Sequence, residues 1–216
     1  MDWDRAKQLI RSGQLGLLVR SNECTRRYRE HKKSLGKVDV SSFVLNKLQW
    51  SEQNLEYLNE QKFKTKHEKI EAALSDRSLY KLTKNDYPYD FPSNIHHLLI
   101  WSKIILPLYE DDTDGAKQVP ETHDRIEEFL RMNLQDNFQI PPADYCWFVN
   151  YSSLQSIKKI SHIHLLIRTD NTELIEDKIL GQPGLEPLPK LDGTEETEKG
   201  TVPNGDKAEK AIEVDN

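Results

Sequence analysis

Two short apolar segments that carry histidines constrain the fold of this chain more than any other feature. Residues 95–105 read Ile-His-His-Leu-Leu-Ile-Trp-Ser-Lys-Ile-Ile, and residues 162–168 read His-Ile-His-Leu-Leu-Ile-Arg. Short runs rich in apolar, β-branched and aromatic residues are typical of buried strands. We therefore expect two strands that bring several histidines onto one small sheet.

The order of the other elements predicts the fold class. Residues 1–50 show helical spacing of apolar residues, and residues 51–78 form a polar segment that we interpret as a helical insertion. Residues 79–82 and 145–151 are expected to be two further strands, and residues 121–134 an amphipathic helix. Helices followed by strands with one helix among them predict an α+β fold, with N-terminal helices and a small, mainly antiparallel sheet.

The chain divides into one body and a tail. A length of 216 residues favours a single domain, which we place at residues 1–180. Beyond residue 180 the chain has no aromatic residue, and nine acidic residues stand against four lysines. Such a segment buries too little apolar surface to offset the entropy of ordering. We therefore expect residues 181–216 to be a disordered acidic tail.

Charge and apolar content exclude several classes of protein. The net charge of −6 lies mostly in the tail, so the nearly neutral body gives no reason to expect nucleic acid or an anionic membrane as a partner. No apolar run reaches the length of a membrane-spanning helix. The N-terminus shows no secretory signal, and two distant cysteines suggest no disulfide framework. We expect a cytoplasmic protein.

The pair His162 and His164 is the sharpest chemical motif. Side chains alternate along a strand, so both imidazoles lie on one face and Ile163 on the other. Two histidines at this spacing can share a metal ion or act as an acid or a base. They can equally cap a sheet face through hydrogen bonds. The sequence leaves these roles open, and from it we assign no metal site and no cofactor.

A second pair, His96 and His97, lies on the other histidine-bearing segment. Adjacent residues on a strand point to opposite faces, so only one of the two can join the first pair. We expect that one to form a polar cluster with His162, His164 and Asn150. His162, His164 and His97 are thus the candidate catalytic residues. Alternatively, these residues have only a structural role, with their polar atoms hydrogen-bonded to neighbouring groups.

Aromatic and polar residues near the histidines suggest a binding role. Asp86 and Tyr89 belong to a proline-containing turn before the first histidine segment, while Trp101 and Trp147 lie within expected strands. Together with Asn150 they are the candidate binding residues, because ligand pockets combine aromatic walls with a few polar groups. Packing in the core and in the turn explains the same residues as well.

Four groups of residues within positions 2–168 occur in an order that resembles a known family. They are Trp3 and Asp4 with Leu9, Ile10, Gly13, Leu18, Arg20, Ser21 and Tyr28; the run 42–45 with Leu48 and Trp50; the run 85–89 with His97, Trp101 and Lys103; and Trp147, Phe148 and Asn150 with the run 154–156, His162 and His164. The pattern is similar to that of the fungal N-acetylglucosamine-induced protein family, a domain of unknown function. Tyr87 stands where that family usually has tryptophan, and Asp90 where it commonly has glycine.

Two functions remain open. The chain has no phosphate-binding glycine loop, nucleophile elbow or dinucleotide fingerprint, and the resemblance carries over no catalytic residues. The resemblance implies a cytoplasmic protein linked to N-acetylglucosamine metabolism, and our first hypothesis is a non-catalytic factor that binds an amino-sugar metabolite or a protein partner. The alternative is a small hydrolase or transferase that acts on a sugar or nucleotide sugar. It would use His162 and His164, with His97 and Asn150 in support.

Overall fold

The framework of the fold is a four-stranded antiparallel sheet. A computed structural model describes residues 1–36, 39–111 and 113–189. The strands are β1 (Tyr80–Lys84), β2 (Ile95–Ser102), β3 (Tyr145–Phe148) and β4 (Ser161–Arg168). Their order in the sheet is β1-β2-β4-β3, so the two histidine-bearing strands lie side by side at its centre. The expected α+β class with an antiparallel sheet is confirmed.

Helices precede the sheet and also separate its strands. The α-helices are α1 (Trp3–Arg11), α2 (Asn22–Ser34), α3 (Val40–Leu48), α4 (Glu52–Glu56), α5 (Lys66–Ala72) and α6 (Pro120–Leu130). Three π-helical stretches span Tyr57–Lys62, Arg131–Asn137 and Leu174–Ile179. Short 3₁₀ turns occupy Leu15–Leu17, Arg77–Leu79, Pro142–Asp144 and Ser152–Leu154. No helix within the described ranges combines the length and apolar character that crossing a membrane requires.

Side-chain caps explain where several helices begin. A carboxylate oxygen of Asp2 accepts the backbone N–H of Arg5 at 2.8 Å, which satisfies one of the free donors in the first turn of α1. Ser21 caps α2 in the same way. Thr65 and Glu68 form a reciprocal capping box at the start of α5.

The sheet has two chemically different faces. The β2–β4 register places Leu99 opposite His164 and Trp101 opposite His162. These residues and His97 therefore share one side of the sheet, which we call the histidine face. The other side, the apolar face, carries mainly apolar and aromatic side chains, including Leu98, Ile100, Ile163, Leu165, Ile167, Tyr145 and Trp147.

Helices cover both faces. On the histidine face, Leu9 of α1 packs in one buried cluster with Leu166, and Val44 of α3 packs in another with Leu99. On the apolar face, Phe129 of α6 belongs to the largest buried cluster. Full burial of each such side chain contributes about 1.5–3 kcal/mol. The sheet therefore lies between two sets of helices, which separate from each other at the edges of the sheet.

The polar segment 51–78 is helical but broken. It contains α4, a π-helical stretch and α5, and its sparse apolar residues Leu55, Leu58 and Ile70 are buried. Leu58 packs beside Ile104, just past the end of β2. These contacts attach the segment to the body of the domain.

The body continues beyond residue 180, where the sequence placed the start of the tail. Leu185 and Leu188 are buried in the apolar-face cluster. The Tyr80 hydroxyl donates to the Leu185 carbonyl at 2.7 Å, and the Leu188 N–H donates to the Leu74 carbonyl at 2.9 Å. These two buried leucines and the hydrogen bonds around them hold residues 181–189 against the core. The rest of the expected tail, residues 190–216, lies outside the described part of the chain.

Candidate functional site

Three of the residues singled out in the sequence meet on the histidine face. His97 on β2 and His164 on β4 join through their rings, with His97 Nε2 and His164 Nδ1 2.9 Å apart. The side-chain amide of Asn150, just past β3, lies 3.1 Å from His164 Nε2. We call His97, His164 and Asn150, together with His162, the histidine cluster.

The other two histidines of the paired segments make separate contacts. His162 Nδ1 donates to the Ile160 carbonyl at 3.0 Å, and its ring packs against Trp101 with 4.9 Å between centroids. His96 points to the opposite face from His97, and its Nε2 donates to the Thr169 carbonyl at 3.1 Å. His97 is therefore the member of its pair that joins the cluster.

Aromatic rings close the cluster from solvent. The ring of Phe148 lies almost parallel to that of His164, with 4.7 Å between centroids, and Tyr89 stacks at 6.1 Å. Arg20 lies over the outer face of Tyr89 at 5.5 Å. As a result the exposed fractions are only 6% for His97 and 5% for His164. Both imidazoles are therefore largely shielded from water.

Burial keeps the clustered histidines neutral. Loss of solvation, with a smaller contribution from the Arg20 charge, lowers the pKa of His97 to about 3. Burial and the neighbouring His97, His162 and Arg20 hold the pKa of His164 well below its ordinary value. Burial also lowers the pKa of His162, opposed by its hydrogen bond to the Ile160 carbonyl. All three rings carry one proton each near neutral pH.

A backbone donor determines which nitrogen holds each proton. The Tyr89 N–H donates to His97 Nδ1 at 3.4 Å, so the His97 proton must sit on Nε2 and be donated to His164 Nδ1. The His164 proton then sits on Nε2 and faces Asn150. In the structure Asn150 Nδ2 occupies that position, while Oδ1 is buried without a hydrogen-bond partner among the described residues. A half-turn of the carboxamide supplies the acceptor that His164 needs.

The cluster has the properties of a structural polar network. Its rings are neutral, hydrogen-bonded and shielded, whereas a general base must reach the proton that it removes. Across residues 1–36, 39–111 and 113–189, no group of three or more His, Cys, Asp or Glu side chains is arranged to hold a metal ion.

The remaining candidate binding residues lie apart from one another. Asp86 forms an ion pair with Lys47 at the surface. Trp101 donates through Nε1 to Thr83 Oγ1 at 2.9 Å, which ties β2 to β1. Trp147 belongs to the apolar face, on the other side of the sheet from the histidine cluster.

An open cleft of about 600 Å³ lies along β3, away from the histidine cluster. Its walls come from α1 and the turn after it, from Tyr109 and residues 115–118, from α6 and from β3 itself. We call it the β3 cleft, and its polar and aromatic lining includes Lys7, Arg11, Ser12, Tyr109, His123, Glu127, Tyr145, Trp147 and Tyr151. This volume is typical of small-molecule sites.

Some polar groups of the β3 cleft have hydrogen-bond partners among the described residues, and others do not. Trp147 Nε1 donates to Glu127 Oε1 at 2.6 Å, and Lys7 Nζ donates to the Ala143 carbonyl at 3.1 Å. The exposed guanidinium of Arg11 makes neither a hydrogen bond nor an ion pair within the described parts of the chain. It is a free cation at the mouth of a cavity.

Sequence reasoning missed the β3 cleft and two residues that lie beside the histidine cluster. The spacing of Lys7 and Arg11 places both on one side of a helix, but that pattern is also typical of any solvated helix surface. Asn85 contacts His97, and Arg20 lies over the ring of Tyr89. Both residues reach the cluster only through tertiary packing. Only the family pattern drew attention to these two residues.

Comparisons with known proteins identify relatives over most of the chain. Residues 2–168 match the model of a family described as a protein of unknown function, DUF3605. The chain is 34% identical over 194 residues to the uncharacterized protein YPL067C of Saccharomyces cerevisiae, which covers 86% of this chain and 91% of that protein. It is 26% identical over 192 residues to the N-acetylglucosamine-induced protein 1 of Candida albicans, covering 84% of this chain and 74% of that protein. The crystal structure of HTC1 matches with a TM-score of 0.68 and 32% identity, over 87% of this chain and 98% of that chain.

Proposed function

This chain belongs to the DUF3605 family, as its motifs predicted, and from that premise we propose that it is a non-catalytic, cytosolic factor of N-acetylglucosamine metabolism. It binds an amino-sugar metabolite in the β3 cleft. The link to this sugar rests on the name of the Candida albicans relative and on the resemblance found in the sequence.

The contrast between the two candidate sites carries the proposal. The β3 cleft is open, has the volume of a small-molecule site and presents the free cation of Arg11. The histidine cluster is closed by Phe148 and Tyr89 and holds neutral rings. A hydrolase or transferase that used these histidines would need substrate to reach them, so the geometry favours binding over catalysis.

Ligand-induced stabilisation of the full chain tests the proposal. We expect at least one of N-acetylglucosamine, its 6-phosphate or its UDP conjugate to raise the melting temperature. A ligand at a hundredfold its dissociation constant stabilises the folded state by about 2.7 kcal/mol. The bound sugar should be recovered unchanged, as proton NMR spectra of the mixture over time will establish.

Two variants on α1 locate the effect. Arg11→Gln should weaken the stabilisation by an anionic sugar, because it removes the free cation from the β3 cleft. Arg5→Gln is the matched control, since Arg5 lies on the same helix but bonds Gln8 instead of lining the cleft. The proposal fails if none of the three sugars stabilises the chain, or if the chain converts one of them to a product.

A further inference from the structure

The β3 cleft exposes the edge of a strand as well as its side chains. Tyr145, Cys146 and Trp147 are consecutive, and all three line the same cavity. Side chains on a strand alternate between faces, so a cavity that reaches three neighbours in a row must lie against the strand's edge. The edge of a strand is where its backbone N–H and C=O groups point.

That edge is unpaired in the described chain. β3 is the last strand of the sheet, and residues 145–148 form backbone hydrogen bonds with β4 alone among the described residues. In an antiparallel pair, alternate residues direct both their N–H and their C=O away from the partner strand. The β3 cleft therefore presents adjacent peptide donors and acceptors that lack partners.

We propose that this edge binds the acetamido group of an N-acetylated amino sugar that also carries an anionic group, which Arg11 and Lys7 bind. The inference rests on the proposed function and specifies the ligand class of the same site. An acetamido group is a planar secondary amide whose N–H and C=O point in opposite directions, so one of the two bonds the strand edge, as in a single peptide unit of an added strand. Its carbonyl can accept from an outward backbone N–H of the edge, whereas the protonated amine of an unacetylated amino sugar offers no acceptor.

The charges of the β3 cleft account for the anionic group. Lys7 and Arg11 lie one helical turn apart on the wall formed by α1. Arg11 has its full set of donors available, and a guanidinium matches the geometry of phosphate oxygens. On the opposite wall, Glu127 already accepts from Trp147, and the cations outnumber this carboxylate. A phosphorylated sugar fits this balance better than a neutral one.

Calorimetric titration of the full chain with four sugars separates the two contacts. The sugars are N-acetylglucosamine 6-phosphate, glucosamine 6-phosphate, glucose 6-phosphate and unphosphorylated N-acetylglucosamine. We expect loss of the acetyl group, and separately loss of the phosphate, each to weaken binding at least about tenfold. Arg11→Gln should reduce the preference for phosphate, because Lys7 remains, and keep the preference for the acetyl group, whereas Arg5→Gln should change neither.

Backbone NMR locates the acetamido contact. On addition of N-acetylglucosamine 6-phosphate, amide shifts should change at residues 145–148, and the outer edge of β1 should be unaffected. Equal affinity for the acetylated and unacetylated sugar phosphates would overturn the edge contact while leaving metabolite binding intact. Shifts at β1 instead of β3 would also overturn it. If none of the four sugars binds, this inference fails, and the proposed function fails with it unless the UDP conjugate stabilises the chain.

Discussion

The histidine cluster and the β3 cleft lie on different sides of β3, and they use polar residues in opposite ways. In the cluster, polar atoms face one another and are closed off by Phe148 and Tyr89. In the cleft, Arg11 faces open space, and a strand edge lacks backbone partners among the described residues. Buried polar groups that satisfy each other specify a fold, whereas exposed ones without partners are available to a ligand. The residues most conspicuous in the sequence are thus the ones best suited to a structural role.

The largest expected effect is on stability, from His164→Ala. The substitution empties a fully enclosed site and leaves the facing atoms of His97 and Asn150 without partners. We expect a loss of about 3–4 kcal/mol in the free energy of unfolding, measured by urea denaturation. A loss below about 1 kcal/mol would show that the cluster is not a structural network.

The pH dependence of stability should come next in size. The pKa values of His97, His162 and His164 are lowered in the folded chain, so the unfolded chain binds more protons once the pH falls below about 6.5. The contribution of these histidines to the free energy of unfolding is therefore fully present above about pH 6.5. It is lost progressively as the pH falls from there towards about 3, the pKa of His97 in the folded chain. Between these two pH values, His97 contributes up to about 1.4 kcal/mol per pH unit, and His162 and His164 contribute with the same sign.

Two variants test the origin of that slope. His97→Gln should reduce the pH dependence of the free energy of unfolding by the contribution of one histidine. Urea unfolding between about pH 7.5 and 5.5 measures this change. Leu99→Ala is the control, because it removes a buried apolar side chain from the same face without removing a titratable group. Identical slopes for His97→Gln and the unaltered chain would contradict the assignment.

A smaller loss of stability is expected from Gly13→Ala, at the rim of the β3 cleft. Gly13 has a φ of +70°, and a Cβ placed there would lie 2.7 Å from the Tyr151 hydroxyl. The left-handed conformation costs a residue with a side chain about 1–2 kcal/mol, and the buried Tyr151 ring, whose hydroxyl donates to the Gly13 carbonyl, must shift to make room. Thermal unfolding should show this loss, and an unchanged melting temperature would mean that the turn is looser than the structure indicates.

The smallest expected effect on stability is that of Arg11→Gln. Because Arg11 is exposed and unpaired within the described chain, the free energy of unfolding should change by less than about 0.5 kcal/mol. Calorimetry of the same variant should nevertheless show weaker binding of a sugar phosphate. A large loss of stability in this variant would contradict the view that the cleft, unlike the cluster, has no structural role for its charged residue.

The sequence was most informative where local periodicity determines geometry. Alternation along two strands was enough to place His162 and His164 on one face and to allow only one of His96 and His97 to join them. The α+β class followed from the order of the elements. The antiparallel pairing of β2 with β4 then brought His97 to His164.

The β3 cleft could not be derived in this way. Its walls come from α1, from Tyr109 and residues 115–118, from α6 and from β3, which are separate segments of the chain. Sequence patterns report on neighbours along one element and not on gaps between elements. The burial of Leu185 and Leu188 was missed for a related reason, because prolines and glycines around them made the whole region resemble a tail.

The position of Leu185 and Leu188 in the core has a consequence for biosynthesis. A ribosome releases the N-terminal part of a chain first, so the part of the apolar-face cluster that Leu185 and Leu188 cover stays exposed until residue 188 has been made. A nascent chain of this protein therefore exposes apolar surface until late in translation. A premature stop near residue 180 should yield a product that chaperones and proteases remove, because its core lacks its final two leucines.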